Sequence, residues 1–218
     1  MNSNIINYKK YQIIIENDEC PVNPRDEYNL SSMVCFHGGY SLGDDHNYNS
    51  DDFQSFENIE RQLYKDFDIA IIKPLYMYDH SGLVIRTSPF SCRFDSGQIG
   101  FVFLSKQAVR NNFNIKRVTK EYLNLADDII ENEVDTYNYY IQGECYRFSI
   151  FEPSAKEMID CCSGFIGSDH NKSGLMDYAK ESIEYNIIQQ RKLRFNKIKK
   201  LIKSSVPLYL RTNILCEY

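Results

Sequence analysis

Two apolar runs, Ile69 to Tyr78 and Ile99 to Leu104, constrain this chain more than any other feature. Short runs rich in β-branched and aromatic residues, bounded by turn formers, read as strands. With Leu83 to Arg86 between them they predict an antiparallel set. Pro74, inside the first run, predicts an edge strand or a bulge, because proline offers no ladder donor. The polar insert between the runs holds Asp79-His80-Ser81-Gly82 and Ser91-Cys92-Arg93-Phe94-Asp95-Ser96-Gly97. These are the residue types of loops, where sites usually sit.

The remaining chain supplies partners for that centre. Residues 1–10 read as a polar lead-in, and Tyr11 to Ile15 and Met33 to Phe36 as strands. Ser50 is placed to cap a helix over about 51–65, Ser105 one to about 112, and Thr119 a longer one to about 142, closed by Gly143. That long helix is expected to bury Tyr122, Ala126, Ile129, Val134, Tyr137 and Ile141. Asp127, Asp128, Glu131 and Asp135 form its solvated face. Cys145 to Phe151 and Met158 to Phe165 read as a hairpin about Pro153-Ser154-Ala155-Lys156, and Ser173 starts a final helix. The order predicts an α+β fold: a mainly antiparallel sheet, three or four helices and a C-terminal basic amphipathic helix.

Charge divides the chain unevenly. Residues 191–218 carry eight Lys/Arg against Glu217, whereas the first 190 hold a net of about −12 within a total of −5. A single domain over 1–190 is expected, with 191–218 a basic helical extension and tail docked on it. Arg191, Lys192, Arg194, Lys197, Lys199, Lys200 and Lys203, interleaved with Leu193, Phe195, Ile198, Leu201 and Ile202, are the expected partner-binding residues. Nucleic-acid phosphates, an acidic protein or the chain's own acidic body would each satisfy them. Seven cysteines without a C-x-x-C pair or a signal peptide imply reduced thiols in a cytosol. No apolar stretch approaches the roughly 18 residues a spanning helix needs, so a soluble protein with no membrane partner is expected.

Candidate chemistry centres on histidines beside aspartates: Asp45-His46, Asp79-His80 and Asp169-His170, with His37 after a strand. Imidazole and carboxylate suit zinc, manganese or iron, but no H-E-x-x-H, H-x-H or Cys/His cluster is present. No cofactor is therefore expected, a divalent metal being the alternative. His37, Asp79, His80 and Asp95 are the catalytic candidates, and Cys92 or Ser96 with His80 as base and Asp95 as orienter is the nucleophilic arrangement to test. Gly38, Gly39, Asp95, Ser96 and Gln98 are candidates for holding a small ligand through loop amides. The glycine segment matches neither phosphate-loop pattern.

Asn23-Pro24-Arg25-Asp26 with Asn29-Leu30, Met33-Val34-Cys35-Phe36-His37, Tyr40-Ser41-Leu42-Gly43-Asp44, Tyr78-Asp79-His80-Ser81-Gly82, Phe90-Ser91-Cys92 and Asp95-Ser96-Gly97-Gln98, together with Tyr140 to Tyr146, resemble an uncharacterised family of phage and mobile-element proteins. The resemblance covers about 23–146 and departs from the family at Phe36, Phe94 and Gly38-Gly39. It implies an accessory protein in a host-cell cytosol that blunts a host defence. The first expectation is a non-enzymatic inhibitor of anti-CRISPR or antirestriction type, bound to its effector or ribonucleoprotein complex. The alternatives are a metal-assisted hydrolase or nuclease, and a nucleotide-binding protein that sequesters a signal.

Overall fold

A computed structural model describes residues 4–80, 82–92, 94–154, 157–203 and 207. Arg211 and the rest of the expected tail lie outside the described residues, as do Ser81, Arg93, Ala155 and Lys156 within the predicted turns. The fold is α+β, with four α-helices and eight antiparallel strands in two sheets. In chain order the elements are β1 (Asn4–Tyr8), β2 (Tyr11–Asn17), β3 (Ser32–Cys35), α1 (Phe56–Asp66), β4 (Ile69–Asp79), β5 (Leu83–Arg86), β6 (Ser96–Ser105), α2 (Lys106–Phe113), α3 (Lys120–Ile141), β7 (Cys145–Glu152), β8 (Glu157–Ile166) and α4 (Leu175–Lys203). Short 3-10 turns occupy Pro24–Asp26 and Ser50–Asp52.

The chain forms two compact units. One comprises 1–16, 146–165 and 169–218, and the other 17–145 with 166–168. The charge step at 190 does not mark this division, because α4 runs through it without a break. Packing defines a unit, whereas charge pattern reports only what stays wet. Counted by unit, the second carries 21 Asp/Glu against 11 Lys/Arg, a net of −10, and the first 9 against 14, a net of +5.

In the first unit the sheet order is β1-β2-β7-β8. Alternate residues of β2 (Tyr11, Ile13, Ile15) and β7 (Phe148, Ile150) face one side. Leu175, Met176, Ala179 and Ile183 of α4 cover them at helical spacing. β1 lies in the segment expected to be a lead-in. It pairs with β2 through a two-residue Lys9-Lys10 turn with Lys9 at φ 56°, and the usual Asn-Gly or Asp-Gly signal for such a turn is absent. Glu184 accepts from Tyr8 and Lys9, and Lys10 donates to Glu152, whose carboxyl is held below its usual value chiefly by that ammonium.

In the second unit the order is β3-β6-β4-β5. One face packs Met33, Leu75, Met77, Val102 and Leu104 against Val109 of α2 and Ala126, Ile130, Val134 and Tyr137 of α3. Ile130 rather than Ile129 enters this core. The opposite face buries Val34, Phe101 and Phe103 under Ile59 and Leu63 of α1. β4 is central rather than an edge, but β5 ends at Arg86 opposite Tyr76, so at Pro74 the strand has a neighbour on one side only. The missing donor thus costs little, and register shifts at Ile69/Ile71 and Leu75/Tyr76 absorb the remainder. Gly100 is required where β3 crosses β6, since a Cβ there would stand 2.0 Å from the Val34 carbonyl oxygen.

The acids expected to be merely solvated on α3 take part in packing. Asp127 and Glu131 hold Lys73 of β4, and Thr87 Oγ1 donates to Glu131 at 2.7 Å. Asn138 of α3 bonds the backbone of Ile85 in β5, accepting its N–H at 2.6 Å and donating to its carbonyl oxygen.

Candidate functional site

The 23–31 loop, the start of β3 and the 43–44 turn converge on one buried side chain. Asn23 Oδ1 accepts the Arg25 N–H at 3.0 Å, and Pro24 starts the single turn that aims Arg25 inward. The Arg25 side chain is 1% exposed and makes a two-pronged contact with Asp44, at 2.7 and 2.9 Å. It also donates to the Ser31 carbonyl oxygen at 2.8 Å and reaches Glu133 of α3 at 3.4 Å. Asp44 further accepts the Met33 N–H, and Glu133 those of Leu30 and Ser31, so each carboxylate also bonds main chain. Gly43, at φ +75°, turns the chain into this bond set; a Cβ there would stand 2.6 Å from the Met33 carbonyl oxygen. The network ties the 23–31 loop, β3, the 43–44 turn and α3 together. Sequence reading left Glu133 out, although its placement one helical turn before Tyr137 put it on the buried side.

Four of the histidine and aspartate candidates gather at one end of the β4–β6 pair. Asp79 N–H donates to the Asp95 carbonyl oxygen at 2.9 Å, which joins the two loops. Asp95 Oδ2 lies 3.7 Å from His80 Nδ1 and 3.6 Å from Cys92 Sγ. Tyr40 donates to Asp79 Oδ2 at 3.2 Å, and the Asp79 charge raises the Tyr40 pKa. His37 stacks on Tyr40, ring centroids 5.1 Å apart.

This arrangement has the wrong order for nucleophilic catalysis. A cysteine or serine hydrolase needs the imidazole between nucleophile and carboxylate. Here Asp95 stands between Cys92 and His80, and Ser96 donates to the Cys92 carbonyl oxygen. Nor is His37 a base: its Nδ1 accepts the N–H groups of Gly39 and Tyr40, at 3.1 and 3.2 Å, so in the neutral ring the proton sits on Nε2. Among the described residues no three His, Cys, Asp or Glu side chains meet as metal ligands. Exposed side chains at 65% for His80 and 41% for Asp95 leave the cluster in water, where a carboxylate–imidazole pair is weak. His46 lines the same groove as His37 and is bonded through Nε2 to the Cys35 carbonyl oxygen at 2.8 Å, whereas His170 packs edge-on against Tyr146 in the first unit.

The ligand-binding candidates do not share a cavity. Gly38 and Gly39 line an open groove of about 470 Å³ with His37, Tyr40 and Asp45. Gln98 lines a separate hollow of about 200 Å³ beside Phe56, Glu60, Tyr76 and Phe101, and Asp95 and Ser96 line neither. Near Asp79, Tyr78 stacks on Phe90 at 5.4 Å and the Arg86 guanidinium lies over that ring at 3.8 Å from its centroid.

The partner-binding candidates lie on α4 of the first unit. Arg191, Lys192, Arg194, Lys199 and Lys200 are exposed, Lys197 is half-buried, and Lys203 is the last helical residue. No Asp or Glu occurs from 191 to 203, and Leu193 and Phe195 stand 69% and 64% exposed between the cations. Lys192, Lys199 and Lys200, separated by seven and eight positions, share one helix face. No described helix is long and apolar enough to cross a membrane. Comparison with family models, with curated proteins and with solved structures finds no match for this chain.

Proposed function

We propose that this is a non-enzymatic binding protein, an accessory of a phage or mobile element, that inhibits a host defence effector by docking on its phosphate-rich, nucleic-acid-loaded surface. The observation that carries the docking reading is the basic half of α4: six cations from Arg191 to Lys200, five of them exposed, in a stretch without a carboxylate. Cations held on a helix neutralise phosphates without reading bases, which suits an inhibitor that must occupy a groove. The exposed Leu193 and Phe195 supply apolar contact area beside them. The phage setting rests on the resemblance of 23–146.

The test is a phage-plating assay in hosts carrying a CRISPR or restriction system, with the wild-type chain and with Lys192→Gln/Lys199→Gln/Lys200→Gln. Wild type restores plating and the triple variant, folded by circular dichroism, loses that effect. Full protection by the triple variant, or no effect of wild type in any such host, removes the proposal.

A further inference from the structure

A cationic pocket lies in the second unit. Between α2 and the first turn of α3 is a hollow of about 240 Å³ lined by Lys106, Arg110, Lys116 and Arg117, with Ala70, Val118 and Leu123 as its apolar wall. Local geometry builds it. Asn114 closes α2 in the left-handed conformation, φ 51°, and the Ile115 N–H returns to the Arg110 carbonyl oxygen at 3.0 Å. The chain therefore folds back and brings Lys116 and Arg117 to Arg110.

The concentration of charge is unlike the rest of the unit. Residues 106–120 hold five of the unit's 11 Lys/Arg and no Asp or Glu, within a net of −10. Lys106 is paired with Asp68 at 2.6 Å. Arg110, Lys116 and Arg117 have no carboxylate partner among the described residues; Glu121, in the first turn of α3, pairs with none of them. Two further observations call for an anion. The Arg110 Nε–H is buried without an acceptor, although the residue as a whole is part-exposed. Thr119, at the N-cap of the 22-residue α3, makes no side-chain bond to the first turn, so the positive end of that helix stays uncapped beside the pocket. The helix dipole at the C-terminus of α2 accounts for Arg110 there, not for Lys116 and Arg117 arriving from a separate loop.

We infer that this pocket binds the phosphate groups of a phosphorylated ligand. Three uncompensated cations match a diphosphate better than a single monoanion. The hollow is smaller than a whole-nucleotide site, so it takes the phosphate end and leaves the rest of the ligand outside. The inference stands apart from the docking role of α4, which belongs to the other unit.

Titration of the full chain with pyrophosphate, and separately with ADP, tests it by calorimetry and by the nitrogen-15 shifts of the arginine Nε–H groups, at matched ionic strength. Both ligands are expected to bind and to move the Arg110 Nε–H signal. Arg117→Gln, at an exposed position, should weaken binding about 10-fold, the loss expected for one charge-assisted contact. Arg110→Lys should weaken it similarly, while Lys192→Gln/Lys199→Gln/Lys200→Gln leaves it unchanged. A single-stranded oligonucleotide that displaces ADP with the same Arg117 dependence identifies a strand as the source of the phosphates; failure to displace identifies a free phosphorylated molecule. Absence of binding by both pyrophosphate and ADP, or binding that survives both arginine variants, overturns the inference.

Discussion

Replacing Arg25 with methionine tests how the second unit is held together. Methionine keeps most of the side-chain volume and removes the guanidinium, so the effect reports the network rather than a cavity. Wild-type Arg25 makes two short contacts to Asp44, one to the Ser31 carbonyl oxygen and a longer one to Glu133. Removing one partner of a buried ion pair costs about 3–5 kcal/mol, because the other charge is stranded. Two features reduce that figure. The Asp44 and Glu133 side chains are 28% and 17% exposed, and backbone N–H groups of Met33, Leu30 and Ser31 continue to solvate them. The expectation is therefore about 3 kcal/mol, or roughly 10 °C in Tm. Urea unfolding followed by near-ultraviolet tyrosine signals checks it. Arg25→Met/Asp44→Asn should recover part of the loss, since the stranded charge is gone. A loss under about 1 kcal/mol would refute the reasoning, because it would place Arg25 among ordinary surface ion pairs.

Other consequences are open to direct measurement. Gly100→Ala should abolish or severely reduce folding, since the 2.0 Å approach to the Val34 carbonyl oxygen leaves no room, whereas Gly38→Ala, with nothing within 4 Å, should shift stability by less than about 0.5 kcal/mol in the same melt. Burial pushes the Cys35 thiol up to about 12, so at pH 8 alkylation should label exposed Cys20 and Cys161 within the folded protein, with Cys35 labelled only after unfolding. Glu152 is depressed by Lys10 from its usual 4.5, so its contribution is complete above that value and is lost as pH falls through the lower folded value. Glu152→Gln should accordingly cost about 1 kcal/mol at pH 7 and progressively less as the pH falls below the carboxyl's usual value, read as a converging pair of Tm curves. A gap that widens in acid contradicts that sign.

The α+β class was legible because its strands announce themselves by composition: Ile69 to Tyr78, Ile99 to Leu104 and Cys145 to Phe151 all lie in sheets. Two helix ends were legible, as Ser105 caps α2 through the Ala108 N–H and Gly143 takes φ 73° after α3, whereas Ser50 opens a 3-10 turn instead of the expected helix, α1 begins only at Phe56 after Ser55, and Thr119 makes no capping bond. β1 was not, because its turn is Lys-Lys and a short polar-apolar segment carries no strand signal until its partner is known. The division into two units was also hidden, since β2 and β7 meet across more than a hundred residues. At the loops, sequence named His80, Asp95 and Cys92 correctly as neighbours in kind. The order in which they touch is a three-dimensional fact, and that order decides the chemistry. Charge told a partial story: the cation run at 106–120 was present in the residues, but only the turn at Asn114 makes it a pocket.

The central claim is that the basic half of α4 docks on phosphates, and fluorescence anisotropy with a labelled nucleic-acid duplex over a salt series tests it most directly. Each phosphate neutralised contributes a slope of about −0.9 in log K against log salt, so Lys192→Gln/Lys199→Gln/Lys200→Gln should reduce the slope by about 2–3 and weaken binding across all sequences alike. An unchanged slope in the triple variant, or no binding by wild type at low salt, contradicts the account.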